Sequence, residues 1–317
     1  MNPSPILNSE LSDILQGLKS NPKKIPSKYF YDEVGDELFI EITKLPEYYL
    51  TRVENSILEE NASDILDQIK YISNLRILEL GAGNGIKAHT LLKNSLDHLH
   101  KIIYSPLDIS PNAISLLISN MKKNLPDLNL EPIICDYNEI KIKTSNLSGQ
   151  KLLLYLGSNL GNYTPEESRK LLNLFSESLN KGDYFLLGID LVKHPNTIYK
   201  AYNDSQGLTS KFNLNLLNRM NQVLGTQFNK DTFFHYPLYN PIKNQAESYL
   251  ISICDQTIYS SVFKEEFHFY KYEAIFTEIS RKFQAHEIVK MAMDSSMTHL
   301  KNYFDAEESF CCTLWRK

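Results

Sequence analysis

Short apolar runs alternate with helical segments through the middle of the chain. Amphipathic helical periodicity is clearest at 112–124 and at 165–183, where Pro165 stands near the first turn. Strands are predicted at 76–80, 101–110, 128–137, 151–162 and 183–192. Apolar strands separated by helices are typical of βαβ units, in which helices cover both faces of a parallel sheet. The pattern therefore predicts an α/β, doubly wound domain.

The pattern changes after about residue 193. Residues 195–225 are predicted to be helical, and 232–283 contains near-alternating stretches rich in aromatic and β-branched residues. Such alternation indicates an antiparallel sheet with one face in solvent. A last helix at 285–302 and an apolar strand at 310–315 return to the first pattern.

These two patterns predict two domains, each built from discontinuous segments. The doubly wound, Rossmann-like domain is assigned to 58–192 and 284–317. The inserted α+β domain is assigned to 1–57 and 193–283, because the N-terminal segment is expected to pack with the insertion.

Composition and charge exclude several classes of protein. The formal net charge of −5 argues against a nucleic-acid partner, since neutralising phosphates requires an excess of Lys and Arg. No signal peptide and no apolar run of membrane-spanning length is found, and the four cysteines form no CxxC pair. His98 and His100 have no further ligand at suitable spacing, so no metal site is predicted. We expect a cytoplasmic, monomeric protein without a membrane partner.

A glycine-rich turn follows the first predicted strand. Gly81 and Gly83 let the backbone approach a ligand that a Cβ would block, and open parallel sheets bind ligands at the carboxyl ends of their strands. Asp108 ends the second predicted strand, where its carboxylate could accept two ribose hydroxyls. Asp136 and Tyr137 end the third, where they could hold an adenine. The pattern indicates a nucleoside-containing cofactor.

Two cofactor classes share this arrangement. An acid after the second strand is also found in nicotinamide-dependent oxidoreductases, so Asp108 does not discriminate. Ile86 and Lys87 depart from the G-x-G-x-x-G/A spacing that binds a pyrophosphate, and the Asp136–Tyr137 pair favours S-adenosylmethionine in part. A methyltransferase is favoured, and the oxidoreductase stays as an alternative.

Several blocks, in order along nearly the whole chain, resemble the histidine-specific Nα-methyltransferases that form hercynine (Nα,Nα,Nα-trimethylhistidine) for ergothioneine biosynthesis. The matching blocks are SKYFYDEVGDELFIEITKLPEYYLTR, ILELGAGNGIKAHTLL, YSPLDIS, LYLGSNLGNY, LLGIDLVK, AYND with FNLNLLNRMN, and FTEISRKF. The resemblance implies a transferase that methylates the α-amino group of L-histidine. The doubly wound domain would then bind the cofactor and the inserted domain the substrate.

The resemblance also implies a role for particular residues. S-adenosylmethionine would be bound by Gly81, Gly83, Lys87, Asp108, Asp136 and Tyr137, with Gly157 facing it and counted among the residues of the substrate site. Tyr31 and Tyr48 would lie close to the amino acid. Asn162 would hold its α-amino and carboxylate groups, and Tyr202 its carboxylate. Tyr31 and Asn162 are the candidate catalytic residues.

Glu278 and Ser280 are implied to bind the imidazole ring. Two residues apart on one strand, they share a face, and a carboxylate paired with a ring N–H would be left unpaired by an apolar side chain. Ser248 departs from the family, because a methionine is expected there. A smaller polar residue enlarges or wets that wall. Another amine substrate, such as tryptophan or a derivative, is therefore an alternative. The alternative from another class of protein is a non-catalytic module that binds S-adenosylmethionine.

Overall fold

The computed structural model describes residues 5–69, 74–93 and 101–317. The helices, in chain order, are α1 (Pro5–Lys19), α2 (Glu33–Lys44), α3 (Leu50–Gln68), α4 (Ile86–Leu92), α5 (Pro111–Asn124), α6 (Ile140–Thr144), α7 (Pro165–Ser178), α8 (Pro195–Tyr202), α9 (Leu208–Leu224) and α10 (Glu287–Asp294). The strands are β1 (Lys23–Lys24), β2 (Leu75–Leu80), β3 (Ile102–Asp108), β4 (Asn129–Leu130), β5 (Ile133–Ile134), β6 (Gln150–Tyr155), β7 (Tyr184–Asp190), β8 (Phe233–Asn240), β9 (Gln245–Ser252), β10 (Gln256–Ser260), β11 (Glu265–Phe269), β12 (Ala274–Arg281), β13 (Thr298–Phe304) and β14 (Phe310–Arg316).

The chain divides into two compact units. The antiparallel-sheet unit contains the described residues up to Tyr49 together with Lys193–Arg281. The parallel-sheet unit contains Leu50–Val192 and Lys282–Lys317. The division falls before the boundary at 57/58 assigned from the sequence, because α3 packs on β14 and α4.

The parallel-sheet unit is built on one twisted sheet with the strand order β13-β14-β7-β6-β2-β3-β4, and β5 also pairs with β3. Strands β2, β3, β6 and β7 run parallel, whereas β14 and β13 are antiparallel additions at one edge. Every residue of β2 and β7 is buried, as expected for strands with helices on both faces. The predicted doubly wound α/β fold is confirmed.

Two sequence-based elements of this unit were wrong. The single strand predicted at 128–137 is split into β4 and β5 by Glu131 and Pro132, and proline has no N–H to donate to a ladder. The helix predicted at 285–302 ends at Asp294, and Ser296 adopts a left-handed φ of 56°. Pairing of β13 with β14 outweighs the helical periodicity there.

The antiparallel-sheet unit contains a sheet with the order β1-β12-β9-β8 and a separate hairpin of β10 and β11. Strands β12, β9 and β8 are antiparallel, as the alternation predicts. Helix α9 covers one face of the sheet through Phe212, Leu216 and Leu217, which pack with Leu250 and Ile275. The predicted helical region 195–225 is two helices.

None of the helices among the described residues combines the length and apolar character needed to cross a membrane.

Candidate active site

The glycine turn between β2 and α4 lies at the carboxyl end of the parallel sheet. Gly81, Gly83 and Gly85 have φ values of 61°, 54° and 75°, in the left-handed region that favours glycine. The Gly81 N–H donates to the Leu107 carbonyl oxygen (3.0 Å), which ties the turn to β3. A Cβ on Gly81 would stand 3.0 Å from the Tyr137 hydroxyl oxygen. The structure thus brings Gly81 and Tyr137 together.

Asp108 stands at the end of β3. Its Oδ1 accepts the N–H of Ser110 (2.9 Å), and the backbone N–H groups of Gly83 and Ile109 also hydrogen-bond to the carboxylate. Burial raises the pKa of Asp108 above its ordinary value, although these N–H groups favour the charged form. Asp108 and Gly83 are therefore neighbours, as expected for two groups at the ends of adjacent parallel strands.

Asp136 and Tyr137 follow β5. The Asp136 carboxylate is exposed and caps a 3₁₀ turn (Tyr137–Glu139), accepting the Asn138 N–H at 2.9 Å. The Tyr137 ring packs edge-on against the rings of Tyr155 and Phe175, each at 5.9 Å between centroids. The turn therefore fixes the position of Tyr137 beside the glycine turn.

Lys87 has a partner that sequence analysis missed. The Glu54 side chain on α3 is 1% exposed, and its Oε2 lies 2.8 Å from the Lys87 ammonium. Both Glu54 carboxylate oxygens also accept the N–H of Gly157, at 2.7 and 2.9 Å. A sequence signal existed, since Glu54 falls at helical spacing on the apolar stripe that contains Leu50 and Ile57.

The turn after β6 contains Gly157 and Asn162. Gly157 has φ 88°, and the next residue, Ser158, is left-handed at φ 56°. The Ser158 hydroxyl oxygen accepts the N–H of Asp190 at 3.0 Å. A 3₁₀ helix, Asn159–Asn162, follows and ends at the half-buried Asn162. Lys87, Gly157 and Asn162 are thus placed on the loops that follow two neighbouring strands, β2 and β6.

A β-bulge in the other unit orients Glu278 and Ser280. Phe276 pairs with Tyr249 and Glu278 pairs with Ser248, so Thr277 is an extra residue on β12. The Thr277 hydroxyl donates to Asn213 Oδ1 and to the Ser248 carbonyl oxygen, both at 3.0 Å.

The bulge changes which side chains share a face. Because an extra residue shifts the alternation, Glu278 and Ser280 lie on the face of Ser248 and Ala246, which α9 also covers. The structure therefore brings Ser248, Glu278 and Ser280 together. Bulges that redirect a side chain are common beside active sites.

Tyr202, the last residue of α8, reaches the same cluster. Its hydroxyl donates to the Ser280 hydroxyl oxygen at 2.6 Å, in a buried environment. The resemblance implies that Tyr202 binds the substrate carboxylate, and the structure adds a direct hydrogen bond to a residue assigned to the ring.

His235 on β8 is a second residue that sequence analysis missed. Its Nε2 lies 3.3 Å from the Ser248 hydroxyl oxygen. Burial lowers the pKa of His235 to about 4, although the nearby Asp204 carboxylate acts in the opposite direction. The imidazole is therefore neutral at pH 7. The alternation of side chains along β8 did not indicate that His235 would contact Ser248.

Tyr31 and Tyr48 share a cluster of aromatic rings. Phe39 packs edge-on against Tyr31 at 5.7 Å and against Tyr48 at 6.0 Å, and Phe212 of α9 contacts Tyr31 at 5.6 Å. The Tyr31 side chain is nevertheless 45% exposed. The two tyrosines are thus brought together.

The predicted residues fall into two groups, one in each unit. The parallel-sheet unit contains Gly81, Gly83, Lys87, Asp108, Asp136, Tyr137, Gly157 and Asn162. The antiparallel-sheet unit contains Tyr31, Tyr48, Tyr202, Ser248, Glu278 and Ser280. Within 5–69, 74–93 and 101–317, no group of three His, Cys, Asp or Glu side chains could hold a metal ion. His98 and His100 lie outside the described residues.

The first group fits a nucleoside cofactor. A side chain at position 81 would fill the space below the Tyr137 hydroxyl, and Asp108 offers a carboxylate at the strand end. The fold is similar to that of magnesium protoporphyrin IX methyltransferase from Synechocystis PCC 6803 with bound SAH, with a TM-score of 0.50 at 10% identity over 92% of this chain and 97% of that one. This likeness shows the fold, a doubly wound Rossmann-like sheet, and its glycine turn is suited to a nucleoside-containing cofactor.

The family follows from the sequence comparisons. Residues 10–317 match the family described as histidine-specific, SAM-dependent methyltransferases, and the chain belongs to that family. It is 31% identical to the histidine N-alpha-methyltransferase of Mycolicibacterium smegmatis, over 95% of this chain and 93% of that protein. It is 27% identical to the N-methyltransferase imqF of Aspergillus flavus, over 94% of this chain and 82% of that protein. The family assignment made from the sequence blocks is confirmed.

Proposed function

We propose that this enzyme transfers methyl groups from S-adenosylmethionine to the α-amine of L-histidine, giving Nα,Nα,Nα-trimethylhistidine. The observation that carries the proposal is the bulge at Thr277, which puts Glu278 and Ser280 on one face with Ser248. A carboxylate and a hydroxyl two residues apart can pair with the two nitrogens of an imidazole. The family membership and the relatives' names point to the same substrate.

In this proposal the two ring contacts set the selectivity. Glu278 would accept the ring N–H, and Ser280 would contact the other ring nitrogen. An apolar side chain offers no N–H to that carboxylate, and a hydrogen bond lost in a pocket costs about 1–3 kcal/mol. Tyr202, hydrogen-bonded to Ser280, would orient that hydroxyl while its ring lines the amino-acid site.

The cofactor, when bound, supplies an activated methyl group on a sulfonium, which is already a good leaving group. Asp108 would hold the ribose hydroxyls, and Tyr137 with Asp136 the adenine. Asn162 would fix the α-amino and carboxylate ends of the substrate. Most of the acceleration would come from alignment and exclusion of water, because an in-line displacement requires a defined approach of the nitrogen. The amine must lose a proton to water or through the Tyr31 hydroxyl.

The experiment is mass spectrometry of L-histidine incubated with the protein and S-adenosylmethionine, looking for one, two and three added methyl groups. Glu278→Ala should lower kcat/KM for histidine and reduce the ratio of kcat/KM for histidine to that for tryptophan. Glu266→Gln, at an exposed position on β11, is the control that should leave kinetics unchanged. Asn162→Ala and Tyr202→Phe should abolish or greatly slow turnover. Parent-like kinetics in the Glu278, Asn162 and Tyr202 variants would defeat the residue assignments.

A second candidate substrate is another amine, such as tryptophan or a derivative. Ser248 favours it, because a small polar residue beside His235 leaves a wider and more polar wall than the methionine expected in the family. Equal or faster methylation of tryptophan than of histidine under the same conditions would select this alternative.

The proposal includes a monomeric enzyme in the cytoplasm. The cytoplasmic part is supported by the cysteines, all four of which are free, since secreted proteins commonly form disulfides. Size-exclusion chromatography with light scattering tests the monomer, and a second copy per particle would contradict it.

A further inference from the structure

A buried carboxylate connects two of the segments on which candidate site residues lie, the one after β2 and the one after β6. Glu54 on α3 binds the Lys87 ammonium at 2.8 Å, and Lys87 stands in the first turn of α4 after the glycine turn. The same carboxylate accepts the Gly157 N–H with both oxygens. These loops follow β2 and β6, which are adjacent parallel strands. One side chain therefore joins two neighbouring segments at the carboxyl edge of the sheet, where doubly wound folds bind their ligands.

The surrounding structure is built to accept this acid. A Cβ on Gly188 of β7 would stand 1.9 Å from Glu54 Oε1, so a larger residue there would force the carboxylate to shift. A charged group that is 1% exposed is tolerated only when it is paired, and Lys87 and the Gly157 N–H supply the pairing. Helix α3, helix α4, strand β7 and the turn after β6 all contribute to this arrangement.

The turn that Glu54 holds is under conformational strain. Gly157 and Ser158 are both left-handed, and a non-glycine residue adopts that region rarely. Such a conformation persists when surrounding contacts determine it, here the Gly157 N–H bonded to Glu54 and the Ser158 hydroxyl oxygen bonded to the Asp190 N–H. Asn162 follows four residues after Ser158, so its position depends on this turn.

We propose that Glu54 is a positioning residue for methyl transfer, holding Lys87 and the Gly157–Ser158 turn in the arrangement that binds S-adenosylmethionine and places Asn162. This inference rests on the proposed function for the role of Asn162. The part that concerns cofactor binding requires only that the chain binds S-adenosylmethionine. Loss of the contact therefore weakens cofactor binding as well as turnover.

The test compares Glu54→Gln, Lys87→Met and the double variant. In Glu54→Gln the partly exposed Lys87 ammonium loses its charged partner, and we expect the KM for S-adenosylmethionine and the Kd for S-adenosylhomocysteine to rise by about tenfold or more. The melting temperature should fall as well. In the double variant no charge is left unpaired, so the melting temperature should recover while cofactor affinity stays low.

The matched control is the exposed ion pair between the same two regions, Glu59 and Lys93, which lie 2.6 Å apart. Glu59→Gln with Lys93→Met should leave cofactor affinity at the parent value. Recovery of cofactor affinity together with melting temperature in the Glu54→Gln/Lys87→Met protein would overturn the proposal, since Glu54 would then contribute only stability. Parent-like affinity in Glu54→Gln would overturn it too.

Calorimetry with S-adenosylhomocysteine needs no methyl acceptor, so it separates this inference from the proposed function. If histidine is not methylated but Glu54→Gln still loses cofactor affinity, the positioning role stands and the substrate assignment fails. If histidine is methylated and Glu54→Gln binds as the parent does, the substrate assignment stands and the positioning role fails.

Discussion

The Glu79 side chain lies in β2, directly before the glycine turn, and only 2% of the residue is exposed. The Tyr104 hydroxyl donates a hydrogen bond to its Oε2. Burial raises the pKa of Glu79 to about 7 from an ordinary 4.5; the Tyr104 hydrogen bond and the Lys87 charge act against that rise, and Glu54 adds to it. Glu79 therefore keeps its proton in the folded protein at pH values where the unfolded chain has lost it.

The sign of the effect follows from proton linkage. Below about pH 4.5 both states are protonated, and the stabilising contribution is complete. As the pH rises towards 7 and beyond, the unfolded chain releases the proton first, so the free energy of unfolding falls. The difference between about 7 and 4.5 corresponds to a loss of about 3 kcal/mol. For a domain of ordinary stability that is a large fraction of the total.

Glu79→Gln removes the titration while keeping a side chain of similar size and an oxygen that can accept the Tyr104 hydrogen bond. Trp315, the single tryptophan, is fully buried in β14, so its fluorescence reports unfolding of the parallel-sheet unit. Urea unfolding at pH 5, 6, 7 and 8 should show the parent losing about 2.5 kcal/mol relative to the variant over that range. A pH-independent cost of burying the amide shifts the whole curve but not its slope. A parent-minus-variant difference that stays constant from pH 5 to 8 would refute the argument.

Three further predictions concern other parts of the site. Gly188→Ala puts a methyl group 1.9 Å from Glu54 Oε1, so it should destabilise the protein by about 3 kcal/mol or more, measured by urea unfolding. Thr277→Val removes the hydroxyl that donates to Asn213, so it should lower the free energy of unfolding by about 1–3 kcal/mol. It should also raise the KM for histidine and leave the KM for S-adenosylmethionine unchanged. The pKa of His235 is about 4 in the folded protein and 6.5 ordinarily, so the neutral imidazole adds at most about 3 kcal/mol to the free energy of unfolding. This contribution is present above pH 6.5 and is lost as the pH falls towards 4. His235→Gln should therefore weaken the dependence of unfolding on pH between 6.5 and 4, measured by circular dichroism.

The first two of these predictions have a control variant. Gly207→Ala has nothing within 4 Å of its Cβ, so only its left-handed φ of 69° should count, at about 1 kcal/mol. Thr277→Ser keeps the hydroxyl and should retain the histidine KM. Equal effects of the alanine substitutions at 188 and 207 would contradict the steric argument. Steeper acid unfolding in His235→Gln than in the parent would contradict the assignment of its pKa.

Much of the parallel-sheet unit could be predicted from local pattern. Buried strands such as β2 and β7 are continuous apolar runs, and the glycine turn and Asp108 stand where a parallel sheet places them. Elements that depend on pairing with a distant strand were harder to predict from the sequence. Residues 298–304 have a helical pattern but pair with β14, and Pro132 interrupts what appears in the sequence as one strand.

The antiparallel-sheet unit shows a second limit of prediction from the sequence. Spacing alone places Glu278 and Ser280 on one face of β12, and this is what the structure has. Spacing does not say which face, because the extra residue Thr277 reverses the alternation relative to Ile275. That bulge is stabilised by Asn213 and the Ser248 carbonyl, more than 20 residues away in the sequence.

Glu54 could be predicted from the sequence in part, because its burial follows from local pattern whereas its partners are distant in the chain. An acid on the apolar stripe of an amphipathic helix must find donors inside the protein, and this requirement is visible in the sequence of α3. The donors are not visible there, since Gly157 is 103 positions away. Sheet order narrows the choice, because β2 and β6 are neighbours and the loops after them end at the same edge. A buried acid on a helix facing that edge is therefore expected to bind donors on those loops, at the edge where doubly wound sheets bind their ligands.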